Sequence, residues 1–305
     1  MVAEFPIFSK VTVENKPFFD EFNAQFPPYA DWAFGTLMTW WDAFDDLEVS
    51  QLSGNLVIKS SYLSMGEVPQ FILLGTHNID ESLTTIFTYQ KAHQLPRELY
   101  SLPQYTIDAL EHPENYIVVD DPNATEYIIS TKKSTRLAGN EMYRLRRAVI
   151  AFEKDMHEHA IEVTDIPLTT FPAKMMLINA LHTWQRGIYR NDNELLEGAM
   201  IDRAFLMAEN IDMQCLCLFI DKQIEGFILY KPLSNTFADV CHIKVSYNYP
   251  NMFRYFTHLM NCELRDKGFE YLNWEQDLGI EGLRAYKHSL RPVDTFHKYN
   301  LYPRP

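Results

Sequence analysis

Glu275 and Asp277 stand two residues apart, just after Asn273, and Arg284, Lys287, His288 and Arg291 follow within the next stretch of chain. Carboxylates beside fixed cations are the groups needed to hold an anion and to take a proton from a nucleophile next to it. Side chains two apart on a strand point the same way, so the two carboxylates can share one face of a strand end. The four basic residues recur at i, i+3, i+4 and i+7, which places them on one face of a helix. Glu275 and Asp277 are therefore candidate bases, and Asn273 is a candidate donor to a developing oxyanion. Arg284, as a bidentate fork, and Lys287, as a point charge, are candidates for gripping a phosphate or carboxylate. The same residues would also suit an ion-pair network that merely fixes a turn, and their types do not decide between the two.

Such a site needs a strand leading in and a helix leading out. The apolar residues 269–272 predict the strand, and the helix that follows must stop at Pro292. Leu283, Tyr286 and Leu290 share its apolar face. Upstream, the pattern predicts a strand over 160–164, helices over 171–185 and 194–209, and strands over 214–220, 224–231 and 237–246. A helix after Asn251 closes with Arg265, Lys267 and Gly268, as the helix dipole and a left-handed cap favour. On the strand over 237–246, His242, Lys244 and Ser246 fall on one face and are candidates to line an acceptor pocket. His242 reads equally as a structural histidine. Tyr249 is a candidate aromatic wall of the same cleft.

Over 305 residues the formal net charge is −14, which repels nucleic acid and anionic surfaces on average, so DNA is not an expected partner. A phosphate-bearing partner would need a local basic patch. One candidate runs over 132–147, where Lys132, Lys133, Arg136, Arg144, Arg146 and Arg147 outnumber Glu141. It reads either as a solvated connecting helix or as an anion site centred on Arg146. No apolar run approaches the roughly 20 residues that span a bilayer, and residues 1–8 lack the order of a signal peptide. A cytoplasmic location without integral membrane association is expected. Cys215, Cys217, Cys241 and Cys262 show neither zinc nor redox spacing and read as small buried residues. His157 and His159 are two apart, with no third ligand close by, so no metal site is expected.

The first half is mixed. Strands are expected over 5–13, 71–75, 116–119 and 126–130, helices over 14–26, 32–44, 81–92 and 142–156, and a hairpin over 51–61. The second-half order of strand, two helices, three meandering strands, helix, strand, helix and strand resembles a GNAT-type acetyltransferase domain. The expected fold is α+β: tandem acetyltransferase-like domains over 1–157 and 158–305, each a mixed, mostly antiparallel sheet flanked by helices, with the first degenerate and the second carrying the site.

Three blocks carry a wider resemblance. Residues 273–284 with Lys287, Ser289, Pro292, Lys298 and Tyr299 form the most specific one. Asp31, Trp32, Ala33 and Phe34 with Leu37 and Trp40 form the second, and Leu137, Ala138 and Gly139 with Arg146 and Phe152 the third. Together they resemble an uncharacterised bacterial family related to the C-terminal domain of phosphatidylglycerol lysyltransferase. That resemblance implies an acyl- or aminoacyltransferase taking its group from an anionic carrier, acyl-CoA or aminoacyl-tRNA, and passing it to a small amine or hydroxyl acceptor. Lipid lysylation is not implied, because the membrane-embedded half is missing. The acetyltransferase phosphate loop is also missing: residues 245–252 read Val-Ser-Tyr-Asn-Tyr-Pro-Asn-Met. The other expectation is a non-catalytic module that binds a small anionic ligand or an acidic partner segment.

Overall fold

The computed structural model describes residues 2–185 and 192–305, which divide into two compact units. Unit 1 comprises Met1–Glu126, Gln276–Ile280 and Thr295–Pro305; unit 2 comprises Tyr127–Glu275 and Glu281–Asp294.

Unit 1 begins with β1 (Ala3–Glu4), β2 (Ser9–Lys10) and α1 (Lys16–Asn23). A helical turn, α2 (Phe34–Thr36), runs straight into the wider turn Leu37–Trp41. Then come β3 (Glu48–Leu52), β4 (Asn55–Ser60), β5 (Gln70–Leu74), α3 (Ile79–Ala92), β6 (Leu99–Pro103), α4 (Gln104–Asp108) and β7 (Tyr116–Asp120). β3 and β4 form the expected hairpin. Leu52 opposes Asn55, and the two loop residues Ser53 and Gly54 have φ of +53° and +83°, as a tight mirror-image turn requires. The sheet runs β1-β3-β4-β5, with β2 also on β3. Where a strand was expected over 5–13, the Phe5–Pro6 peptide is cis and only Ser9 and Lys10 pair. Val57, Phe71, Leu73, Ile79, Leu83 and Leu99 form the centre of this unit's core.

Unit 2 continues with β8 (Glu126–Ser130), α5 (Thr131–Arg136), α6 (Tyr143–Asp155), β9 (Ile161–Asp165), α7 (Phe171–Gln185) and α8 (Asp192–Met207). β10 (Gln214–Ile220), β11 (Gln223–Pro232), β12 (Phe237–Val245), α9 (Met252–Asp266), β13 (Tyr271–Gln276), α10 (Glu281–Ser289) and β14 (Asp294–Phe296) follow. Its sheet has the order β14-β8-β13-β12-β11-β10-β9. β9 to β12 pair antiparallel, and α9 is the crossover that lets β13 run parallel to β12. One face of this sheet is apolar. Ile228 and Tyr230 of β11, Ala238 and Val240 of β12, and Leu272 and Trp274 of β13 pack with Phe256, Met260 and Leu264 of α9. Those three helix residues fall at i, i+4 and i+8 and are wholly buried, so burial of this stripe rather than helix propensity holds α9 in place.

The last strand, β15 (Lys298–Pro303), returns to unit 1, where it sits between β6 and β7. A single cut near residue 157 therefore differs from the observed division. β8, α5 and α6 belong with unit 2, and Gln276–Ile280 and Thr295–Pro305 belong with unit 1. The reason is sheet pairing, since β8 lies beside β13 and β15 beside β6 and β7. Among the described residues no helix is long and apolar enough to cross a membrane.

Candidate functional site

The apolar face of unit 2 leaves the alternate side chains of β11, β12 and β13 on the opposite face. There Lys231 of β11 opposes Asp239 of β12, which in turn opposes Asn273 of β13, so a polar row crosses three strands. β12 and β13 pair only over Phe237–Asp239 and Tyr271–Asn273; β12 then continues to Val245 and β13 to Gln276. The row lies where this pairing ends. Just beyond it, Leu229 opposes His242 and Tyr230 opposes Val240, leaving Cys241 as a one-residue bulge in β12. The bulge keeps Ile243 and Val245 against the core and His242 and Lys244 on the polar face.

The Lys231 ammonium is almost wholly buried and donates to Asp239 Oδ2, with Cys241 Sγ at 3.2 Å. Burial alone would depress this lysine, but Asp239, Cys241 and Glu275 outweigh it and hold its pKa above the ordinary value. Ligand atoms of Asp239, Cys241 and Glu275 all lie within 4.8 Å of one another. This donor set resembles a cation site, but the Lys231 ammonium already supplies the positive charge that Asp239 takes up. Asp239 Oδ1 is buried with no hydrogen-bond partner, an unusual state for a carboxylate oxygen. Burial pushes the Cys241 thiol up, so it stays protonated near neutrality.

Glu275 is half-buried at the strand end, with a left-handed φ of +53° that is uncommon for a residue with a Cβ. Its backbone N–H donates to Asn273 Oδ1 at 2.9 Å. Asn273 is wholly buried and so fixes the Glu275 backbone. Backbone conformations of this kind cost of order 1–3 kcal/mol and cluster where a side chain must be held in place.

The remaining candidates have these positions. Asp277 is buried and accepts the Gly279 N–H at 2.8 Å; it belongs to unit 1, whereas Asn273 and Glu275 belong to unit 2. Lys287 is buried and donates to the Trp274 carbonyl, which ties α10 to β13, and its ammonium is 5.9 Å from the centre of the Tyr127 ring. Arg284 is half-buried on α10. His242 is buried with Nδ1 3.4 Å from Glu197 of α8, and Lys244 donates to the other oxygen of Glu197 at 2.6 Å. Burial would raise Glu197, but His242 and Lys244 overcome it and take its pKa to about 2. Burial lowers the His242 pKa. Ser246 is buried, and its backbone N–H donates to the Glu225 carbonyl at 2.7 Å. The half-buried Tyr249 ring meets His159 edge-on, with centroids 6.3 Å apart. Arg146 of α6 donates to the carbonyls of Leu137 and Gly139, which closes the turn between α5 and α6.

The structure thus brings Asn273 and Glu275 together with Lys231, Asp239 and Cys241, and joins His242 and Lys244 through Glu197. Spacing missed Lys231, Asp239, Cys241 as a site member, and Glu197. A signal for the first two existed. Lys231 ends an apolar run and Asp239 sits between Ala238 and Val240 on the next strand, so hairpin register would have paired them. Glu197 had no local signal.

Unit 1 holds a second buried ion cluster. Lys298 of β15 donates to Asp31 and to Glu126, at 2.7 Å for the latter, and lies 3.4 Å from Gln276 Oε1. Glu126 also accepts the backbone N–H groups of Ala30 at 2.9 Å and Asp31 at 3.3 Å. Burial raises the Glu126 pKa; for Lys298 it acts downward but is outweighed by Asp31 and Glu126.

Among solved structures the chain is similar to a conserved protein of unknown function from Bacteroides thetaiotaomicron, at 19% identity over 97% of this chain and 99% of that one, TM-score 0.85. It is similar to L-PGS from Bacillus licheniformis at 14% identity, covering 99% and 94% of the two chains, TM-score 0.60. A tandem GNAT protein from the clavulanic acid biosynthesis pathway matches at 8% identity over 98% and 99%, TM-score 0.51. At such identities the likeness speaks for the fold, which is α+β, with mixed sheets flanked by helices in a tandem GNAT-like arrangement. Residues 27–302 match the family described as phosphatidylglycerol lysyltransferase, C-terminal, and the chain belongs to that family. No curated protein matches it.

Proposed function

We propose that the protein is a cytoplasmic transferase that moves an acyl or aminoacyl group from an anionic carrier, acyl-CoA or aminoacyl-tRNA, to a small amine or hydroxyl acceptor. The observation that carries this reading is Glu275, held in a left-handed conformation by Asn273 where β12 and β13 stop pairing. A half-buried carboxylate fixed at such an opening is placed to act as a base. Glu275 takes the proton from the acceptor nitrogen or oxygen. That atom bonds to the acyl carbon as the carbon–sulfur or carbon–oxygen bond to the carrier breaks. The proton then passes from Glu275 to the leaving sulfur or oxygen, and no covalent enzyme intermediate is needed. The Lys231–Asp239 pair fixes the local field beside the base. Arg284 is the candidate grip on the carrier's anionic group, the amides at the start of α9 are a candidate rest for a phosphate, and His242, Lys244, Ser246 and Tyr249 are candidates for the acceptor wall. Membership of a family named for a lysyltransferase supports an aminoacyl donor.

The test is a transfer assay on purified protein with acyl-CoAs and aminoacyl-tRNAs against a panel of small amines and alcohols. Transfer that Glu275→Gln abolishes and Cys241→Ser preserves supports direct attack. Absence of carrier binding by calorimetry, together with transfer unaffected by Glu275→Gln, sinks the proposal. The second reading, a non-catalytic module that binds an anion, draws on the absence of a glycine-rich phosphate loop before α9. Carrier binding without any turnover would favour it.

A further inference from the structure

Unit 1 contains a cavity of about 210 Å³ lined by residues between Ser64 and Tyr100. Its polar lining comes from Ser64 in the turn before β5, Gln70 at the start of β5, Gln90 on α3, and Glu98 and Tyr100 on the chain leading through β6. Pro69 and Pro96 supply apolar wall. The volume is several times the roughly 30 Å³ share of one water in the liquid, so it suits a small organic molecule.

The buried unpaired atoms in the lining are both acceptors. Gln70 Oε1 and Gln90 Oε1 are both buried and lack any hydrogen-bond partner, while the Gln90 amide N–H₂ donates to the Glu98 carbonyl at 2.9 Å. Native proteins rarely leave two such acceptors unpaired in one place. The Glu98 side chain adds a carboxylate which, after burial, helps raise the Tyr100 pKa. Ser64, also in the lining, has its hydroxyl committed to the Ser61 and Val68 carbonyls. Among the described residues that line the cavity there is no lysine, arginine or histidine. The nearby Arg97 is turned onto the Phe87 ring, 5.6 Å from its centre. Two unmet amide oxygens, one carboxylate, no cation among the described lining residues and a partly apolar wall make a complement to an alkylammonium group. A primary ammonium has three N–H donors, matching two amide oxygens and one carboxylate.

We infer that this cavity binds the primary ammonium group of a small aliphatic amine, with Gln70, Gln90 and Glu98 as acceptors and the prolines against its alkyl chain. The site is separate from the proposed transfer chemistry and does not depend on it.

The test compares four probes on the full chain by NMR titration and calorimetry: n-butylammonium, butan-1-ol, butyrate and tetramethylammonium. The expected result is saturable 1:1 binding of n-butylammonium alone, with shifts at the Tyr100 ring and the Gln90 side-chain amide. Glu98→Gln should weaken it at least about tenfold, the scale of one charge-assisted hydrogen bond, and Gln70→Leu should weaken it less without unfolding the chain. Equal binding of butan-1-ol or butyrate would overturn the proposal, as would tetramethylammonium matching n-butylammonium, since it has charge but no N–H donor. Shifts scattered over the acidic surface and unchanged by Glu98→Gln, or a cavity that takes up only water, would overturn it too.

Discussion

Each unit buries a lysine between acids, and the two clusters differ in how completely they are closed. In unit 1, Lys298 meets Asp31 and Glu126, both Glu126 oxygens are occupied by donors, and Lys298 and Glu126 have no exposure. In unit 2, Lys231 meets Asp239 with one Asp239 oxygen left unpaired, and the neighbouring Cys241 and Glu275 are half-buried. A closed, satisfied cluster has nothing left to offer a ligand. It ties together residues from the beginning, middle and end of unit 1. An incompletely satisfied cluster that reaches the surface through a carboxylate keeps capacity for proton transfer. The difference teaches that a buried lysine–carboxylate pair is not by itself a candidate site; an unmet acceptor with a half-buried carboxylate beside it makes it one.

The largest expected effect is on the closed cluster. Lys298→Met leaves two buried carboxylates without their cation and should destabilise unit 1 by about 3–5 kcal/mol, measured by urea unfolding. A loss of only about 1–3 kcal/mol would mean this cluster is as relaxed as the other. Next, Glu275→Gln should lower transfer by about 10²–10⁴-fold, the usual worth of a positioned base. Its urea midpoint should stay close to that of the parent protein. A large stability loss instead would make Glu275 a structural member and erase the contrast. Lys231→Met should cost less than Lys298→Met, about 1–3 kcal/mol, because it strands Asp239 alone rather than the pair Asp31 and Glu126. A cost equal to that of Lys298→Met would erase the contrast between the two clusters.

The smallest effect concerns Glu197. Its folded pKa of about 2 lies below the ordinary 4.5, so the unfolded chain binds more protons between those values. Stability should therefore be full above pH ~4.5 and fall as pH drops toward 2, by of order 1–2 kcal/mol once solvent screening of this one-third-exposed group is allowed for. The lowered His242 pKa acts in the same direction, with its loss starting as pH falls through 6.5. Glu197→Gln should remove the part of the slope below pH ~4.5. An unchanged acid-unfolding curve would separate His242 and Lys244 from Glu197.

Much of the architecture was legible before the fold. The apolar stripe of α9, the Ser53–Gly54 hairpin turn, and the strand, turn and helix through residues 271–289 all follow from periods of 3.6 and 2 and from turn chemistry. Asn273 and Glu275 are candidate site residues in the sequence because they follow an apolar run and precede a charged one. Lys287 shows where that reasoning stopped. Its helical spacing marked a cationic face, but its ammonium is turned inward to the Trp274 carbonyl.

By itself, then, the sequence determined the local elements, the solubilising charge and the strand end that bears Glu275. Tertiary structure decided that β8 and β15 cross to the sheets of opposite units, that Lys298 meets Asp31 across 267 residues of chain, and that Glu197 joins His242 and Lys244. The physical reason is range. Helix and strand periods are set by backbone hydrogen bonds among neighbours. Which charges are buried together depends on strand pairings between distant segments, and no spacing within one segment records them.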